Sequence, residues 1–274
     1  MKKMIRMFAL LLAMALLLCA CGSTEESAAE TEPTKPAAAT TAEELAEMLT
    51  TGRGVLGADL QLTKEILVDG TILDGGNHTI TGPEVLKEEI DGETKTVVET
   101  ENGITVAGGT VENIVINGNY RTIGDRKGAG ANADVRLKNV TVNGGESYAI
   151  NFGYGNGQAS LYAENCTLNG WSSYTKFQKA IFTNCTFGFN ESGSEGALRP
   201  YIDTTLVGCK FEGWTQADGT VIPFGINFKN GSDGIHLTLE DCYVGDTLVT
   251  QENLNELLKV NLQGNVIEVR NTHA

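Results

Sequence analysis

VRLKNVTVNG (135–144), LYAENCTLNG (161–170) and AIFTNCTFGF (180–189) are copies of one pattern, and TVENIVINGN (110–119), TLVGCKFEGW (205–214) and LTLEDCYVGD (237–246) extend it in both directions. The residue after the recurring Asn, Gly or Asp reads Ile114, Val140, Cys166, Cys185, Cys209 and Cys242, at spacings of 26, 26, 19, 24 and 33. Self-similarity at such a period marks a solenoid whose turns stack on one another. The unequal spacings predict strands of constant length joined by loops of different length.

Alternation within each copy places the core. Residues two apart on a strand share a face. Before the recurring Asn the apolar set is Val135 and Leu137, Leu161 and Ala163, Ala180 and Phe182, then Ile235, Leu237 and Leu239. After it the parity slips by one, to Val140 and Val142, Cys166 and Leu168, Cys185 and Phe187, Cys209 and Phe211, Cys242 and Val244. A continuous strand would turn the second set outward. One residue in a left-handed conformation restores both sets to the same interior. Asn113, Asn139, Asn165, Asn184, Gly208 and Asp241 are of the types that tolerate positive φ. Each copy is therefore two strands meeting at a tight corner and stacked in parallel on the next.

This arrangement resembles the right-handed parallel β-helix of the pectin-lyase-like superfamily, with its corner-Asn ladder between the second and third sheets. LDGGNHTITG (73–82) is similar to the entry coil of that superfamily. The resemblance spans roughly residues 41–250 and implies an all-β solenoid of roughly seven to eight coils with short capping helices at both ends. It says little about function, because the same coil carries lyases, hydrolases, adhesins and inert spikes.

Four thiols in an exported chain invite a disulfide framework. Cys166, Cys185, Cys209 and Cys242, however, share one inward position with Ile114 and Val140, where Cys packs as a small apolar residue. A buried stack of free thiols is expected, and no paired Cys or His has metal-ligand spacing. The sequons at Asn139, Asn165 and Asn184 follow from the same geometry: a corner Asn, an inward residue and an outward Thr.

The N-terminus sets the compartment. Lys2, Lys3 and Arg6 precede an apolar run from Met7 to Ala20, short for a spanning helix. Leu18-Cys19-Ala20-Cys21-Gly22 resembles a bacterial lipobox, which implies cleavage after residue 20, lipidation of Cys21 and a head held at the outer face of a bacterial membrane by that lipid alone. Residues 21–40, rich in Ala, Thr, Glu, Ser and Pro, read as a disordered tether. Residues 41–274 then form a single domain. The whole chain's net charge of −15, more acidic still once the leader is lost, disfavours nucleic acid as a partner.

Both ends of a solenoid need covers. Thr40 or Thr41 with Glu43 or Glu44 forms a capping-box pattern for a helix over 41–50, with Leu45, Met48 and Leu49 as its apolar stripe. A C-terminal cap is expected over 251–274, with a helix through Leu254, Leu257 and Leu258 and a closing strand at NVIEVRN (265–271). The insertion at 84–103 reads as a hairpin turning at Asp91-Gly92.

A third strand precedes each pair, at 103–106, 148–152, 174–177, 198–202 and 224–229. Its outward residues are expected to be Asn151, Lys176, Arg199 with Tyr201, and Asn227 with Lys229. The resemblance implies that this face and its flanking loops form a saccharide groove. Trp171 and Trp214, each six residues past a corner, supply indole faces suited to sugar rings. The expected function is a non-catalytic binding or adhesin-like module for a polysaccharide or cell-surface partner, without a cofactor. The alternative is an extracellular polysaccharide lyase or glycoside hydrolase acting on an acidic glycan, with calcium if it is a lyase. Arg199 and Asp203, in Arg-Pro-Tyr-Ile-Asp, are similar to part of a pectate-lyase motif, although Thr204 stands where His should follow. Asp233, in Ser-Asp-Gly-Ile-His, resembles one fragment of a polygalacturonase signature whose remaining elements are absent.

Overall fold

The computed structural model describes residues 37–83, 86–90, 92–97, 102–118, 121–193, 195–228 and 234–272. Cys21 and the chain up to Pro36 lie outside them, as do Lys229 and Asp233. The described chain is all-β, with strands running parallel around a closed ring, an architecture compatible with a β-helix.

The pre-corner strands form one ladder, in which Leu73, Val111, Leu137, Ala163, Phe182, Leu206, Leu239 and Val269 succeed one another in direct register. All but Val269 are buried. The post-corner strands form a second ladder through Ile80, Ile116, Val142, Leu168, Phe187, Phe211 and Val244. Between the two, the six corner residues take the predicted conformation, with φ of 54° at Asn113, 52° at Asn139, 53° at Asn165, 52° at Asn184, 61° at Gly208 and 48° at Asp241. That inserted left-handed residue is what lets both apolar sets face one interior. Cys166, Cys185, Cys209 and Cys242 are buried there as free thiols.

Side chains reinforce the corner. Asn113 donates to Asp74 at 3.2 Å, Asn139 to Asn113 at 2.9 Å and Asn165 to Asn139 at 3.4 Å. A parallel ladder that the sequence reading missed lies four residues further on. Asn143 donates to Asn117 at 2.9 Å and Asn169 to Asn143 at 3.0 Å. Its signal was in the copies themselves, as the Asn before each recurring Gly.

The third ladder runs through Ile66, Ile104, Ile123, Ile150, Ser172, Leu198, Ile226 and Val260. Its bounds differ from expectation. The strand Arg121–Gly124 is a rung that the repeat reading lacked. The strand expected at 174–177 is the end of Thr167–Tyr174, since Ser173 and Tyr174 are the residues that pair with Asn151 and Phe152. At the following positions the strands are Ala197–Pro200 and Gly225–Asn227.

At the N-terminal end, helix α1 (Ala42–Thr50) starts on the Thr41–Glu44 capping box and buries Leu45 and Leu49. Gly54 occupies an inward position opposite Leu73, and a Cβ there would lie 2.8 Å from Leu45 Cδ1, so the helix fills the space that a side chain leaves empty. The head includes residues before the helix. Ala39 is buried and its N–H donates to Val55 at 2.7 Å, so the last residues of the expected tether belong to the head.

At the other end the expected helix shrinks to α2 (Leu254–Leu257). Leu258 is already extended, and Lys259–Asn261 pairs with Gly225–Asn227, so ladder hydrogen bonds take the residues that helical periodicity claimed. The closing strand is Val266–Arg270, as expected. The insertion forms the hairpin Leu86–Ile90 with Glu93–Val97.

Asn139→Ala and Asn165→Ala will each lower stability by about 1 kcal/mol or more, by loss of a left-handed-tolerant corner and of ladder hydrogen bonds. Thr141→Ala, on the outer face two residues past the corner, will change it far less. Urea melts of the three variants read this directly, and equal negligible shifts would reject the role of the corner. Thiol titration will find the four core cysteines free, and reactive only after unfolding. Two or fewer titratable core thiols in unfolded, unreduced protein would reject the free stack.

Candidate functional site

The third ladder presents a column of alternating cations and rings. Arg121 is in register with Tyr148, and Tyr148 with Trp171. The Arg121 guanidinium lies 5.8 Å from the Tyr148 centroid, the Tyr148 and Trp171 rings meet edge-on at 5.2 Å, and Arg199 covers the Trp171 ring at 3.5 Å. The Glu195 carboxyl faces Arg199 and the indole N–H, and burial pushes it above the usual range against the pull of both. Trp171 is thus engaged by protein groups on this face.

The other residues expected at the site are dispersed. Asn151 and Arg199 share the outward column with Trp171's neighbours, each in register with Ser173. Lys176 lies beyond the strand end in a left-handed conformation (φ 61°) and is exposed. Tyr201 is half-buried and its N–H donates to Tyr174 at 3.3 Å. Asn227 is half-buried opposite Asn261. Trp214 does not repeat the setting of Trp171. It pairs with Ile222 in a separate antiparallel hairpin, rests against Gly193, where a Cβ would fall 1.9 Å from Cε2, and lies 6.4 Å from the Phe189 ring. The two indoles were expected in equivalent positions because each follows its corner by six residues. A hairpin after the second corner breaks that equivalence.

Of the weak catalytic candidates, Arg199 is stacked on Trp171, and Asp203 accepts from the backbone N–H of His236 at 2.9 Å. Asp233 lies outside the described residues. Among the described residues, no group of three His, Cys, Asp or Glu side chains is placed to hold a metal ion.

A concavity lies elsewhere, on the outer face of the pre-corner ladder. It is a groove of about 460 Å³ lined by Thr110, Glu112, Arg136, Lys138, Tyr162, Glu164, Ile181 and Thr183, with Leu137 and Ala163 at its floor. Its residues form two outward columns. One runs Thr110, Arg136, Tyr162, Ile181 and the other Glu112, Lys138, Glu164, Thr183, each residue in register with the next. Arg136 lies over the Tyr162 ring at 4.4 Å and pairs with Asp134 at 3.2 Å, and Lys179 approaches the same ring at 5.8 Å. The same alternation that located the core marks these positions as outward. Nothing in a single copy says that the outward residues of four strands converge on one hollow.

A volume of this size falls in the range of small-molecule sites, and the lining combines a ring with charged and hydroxyl groups. No protein-family model, curated protein or solved structure matches the chain. Among the described residues, no helix is long and apolar enough to cross a membrane.

Trp171→Ala will destabilise the head by about 1–2 kcal/mol through loss of the Arg199 and Tyr148 contacts, and Arg199→Ala by about 0.5–1 kcal/mol. Raised in the fold, the Glu195 carboxyl contributes stability that is present at low pH and lost as pH climbs through its folded pKa. Melting temperatures of the parent and Glu195→Gln measured from about pH 4 to about pH 7 should therefore move in the variant's favour with rising pH. A constant difference would show that the carboxyl is not perturbed.

Proposed function

We propose that the chain is an exported lipoprotein, anchored through Cys21 at the outer face of a bacterial membrane. Its head is a right-handed parallel β-helix of roughly seven to eight coils, related in architecture to the pectin-lyase-like proteins, and it binds a polysaccharide or glycan-bearing cell-surface partner without transforming it. The groove on the pre-corner face carries this reading. It offers an aromatic ring, an aliphatic side chain, hydroxyls and charges of both signs on successive rungs, in a hollow of about 460 Å³. Repeated strands hold such groups at the fixed strand spacing of about 4.8 Å, a rigid frame for a polymer with its own repeat. A lyase or hydrolase has less to stand on, because Arg199 and Asp203 are each committed to a neighbour within the fold.

The test is a glycan-array screen with the full chain, run beside an assay for unsaturated sugar products. Binding without turnover is expected. Tyr162→Ala should weaken the bound glycan by about 1–3 kcal/mol, the size of an interface anchor's contribution, while Val221→Ser on the distant hairpin leaves affinity unchanged. Turnover of any glycan, or no glycan bound anywhere on the array, would overturn the reading.

A further inference from the structure

We propose that the groove selects a zwitterionic saccharide unit, one bearing a free ammonium and an acid group on the same or adjacent sugars. This rests on the reading of the head as a glycan binder and adds the class of glycan. The observation behind it is the order of charges. Glu112, Lys138 and Glu164 stand directly opposite one another on three successive strands, so opposite charges alternate at one strand spacing, about 4.8 Å. Glu112 is already engaged by Arg53 at 3.1 Å, which also holds Asp74 at 2.6 Å. Lys138 and Glu164 are exposed, and among the described residues neither makes an ion pair. One free cation and one free anion therefore face the same hollow, side by side.

Ligands of a single charge sign are disfavoured there. A polyanion drawn to Lys138 meets Glu112 and Glu164 on both flanks, on a chain of net charge −15. A polycation drawn to Glu164 meets Lys138, Arg136 and Lys179. A unit with both groups is favoured at each end: its acid reaches Lys138 and the Arg136 fork, and its ammonium reaches Glu164. Arg136 is fixed for this role by its place over the Tyr162 ring and by Asp134. The sugar body then lies along Ile181 and the edge of Tyr162, with Thr110 and Thr183 at hand for its hydroxyls. Like-charge juxtaposition against the wrong ligands supplies the discrimination.

Four monosaccharides separate the contributions: muramic acid, with amine and acid; N-acetylmuramic acid, with acid alone; glucosamine, with amine alone; and glucose. Binding to the full chain is followed by ligand-observed NMR titration at low and at high salt. Muramic acid should bind about tenfold more tightly than any of the other three, a difference of about 1.4 kcal/mol, and the advantage should shrink at high salt. Glu164→Gln should remove the preference for muramic over N-acetylmuramic acid, and Lys138→Gln the preference for muramic acid over glucosamine. Both side chains are exposed, so each variant should keep the parent melting temperature, which serves as the folding control. Equal affinities for the four sugars, tighter binding of N-acetylmuramic acid, or variants that bind like the parent would overturn the inference and leave glycan binding in place. Absence of any array hit would instead bring down the reading beneath it.

Discussion

The rest of the head depends on a single backbone event, the left-handed residue at each corner. Six residues with φ between 48° and 61° convert two strands of opposite parity into two walls of one core. Without that inserted residue, the set that includes Cys166 and Leu168 would face water, and both are buried. The side-chain ladder from Asp74 through Asn113 and Asn139 to Asn165 ties the first three corners together. Asn serves here because it tolerates positive φ and because its amide both donates and accepts along the stack. Where Gly208 takes the corner there is no side chain to bond, and the geometry persists. Backbone conformation is thus the primary constraint, and hydrogen bonding reinforces it.

A core built this way leaves the outer surface to be specified by alternate residues, rung by rung. On the third ladder that freedom is spent on mutual packing: Arg121, Tyr148, Trp171 and Arg199 occupy each other. On the pre-corner ladder the outward residues include Lys138 and Glu164, which make no ion pair among the described residues, and a hollow lies among them. Two outer faces of one head, each carrying aromatic and cationic side chains, thus differ in what they leave free for a ligand. That contrast favours the hollow around Lys138 and Glu164 over the indoles as the candidate site.

The C-terminal end of the head illustrates competition between local and non-local preference. Leu254, Leu257 and Leu258 have helical spacing, yet the helix stops at Leu257 because Lys259–Asn261 finds ladder partners in Gly225–Asn227. At the N-terminus no such competition arises. The capping box starts α1, and Gly54 leaves the space that Leu45 and Leu49 fill. Local signals there agree with the tertiary demand, and the element matches its expected span.

By itself the sequence determined the corners, the inward thiols, the parallel stacking, the first cover helix and the hairpin, because each follows from short-range periodicity and from the few residue types that accept positive φ. The Asn117, Asn143 and Asn169 ladder was equally legible in the recurring Asn-Gly and went unread. Tertiary structure alone decided which strand residues come into register on the third ladder, since loops of unequal length shift that register without leaving a mark in the copies. It placed Ser173 where Lys176 was expected and put Trp214 in a hairpin of its own. It also brought Arg136, Lys138, Tyr162 and Glu164 around one hollow. Convergence across strands depends on how successive rungs are offset and how their side chains lean on one another, and those are relations between segments that no single segment encodes.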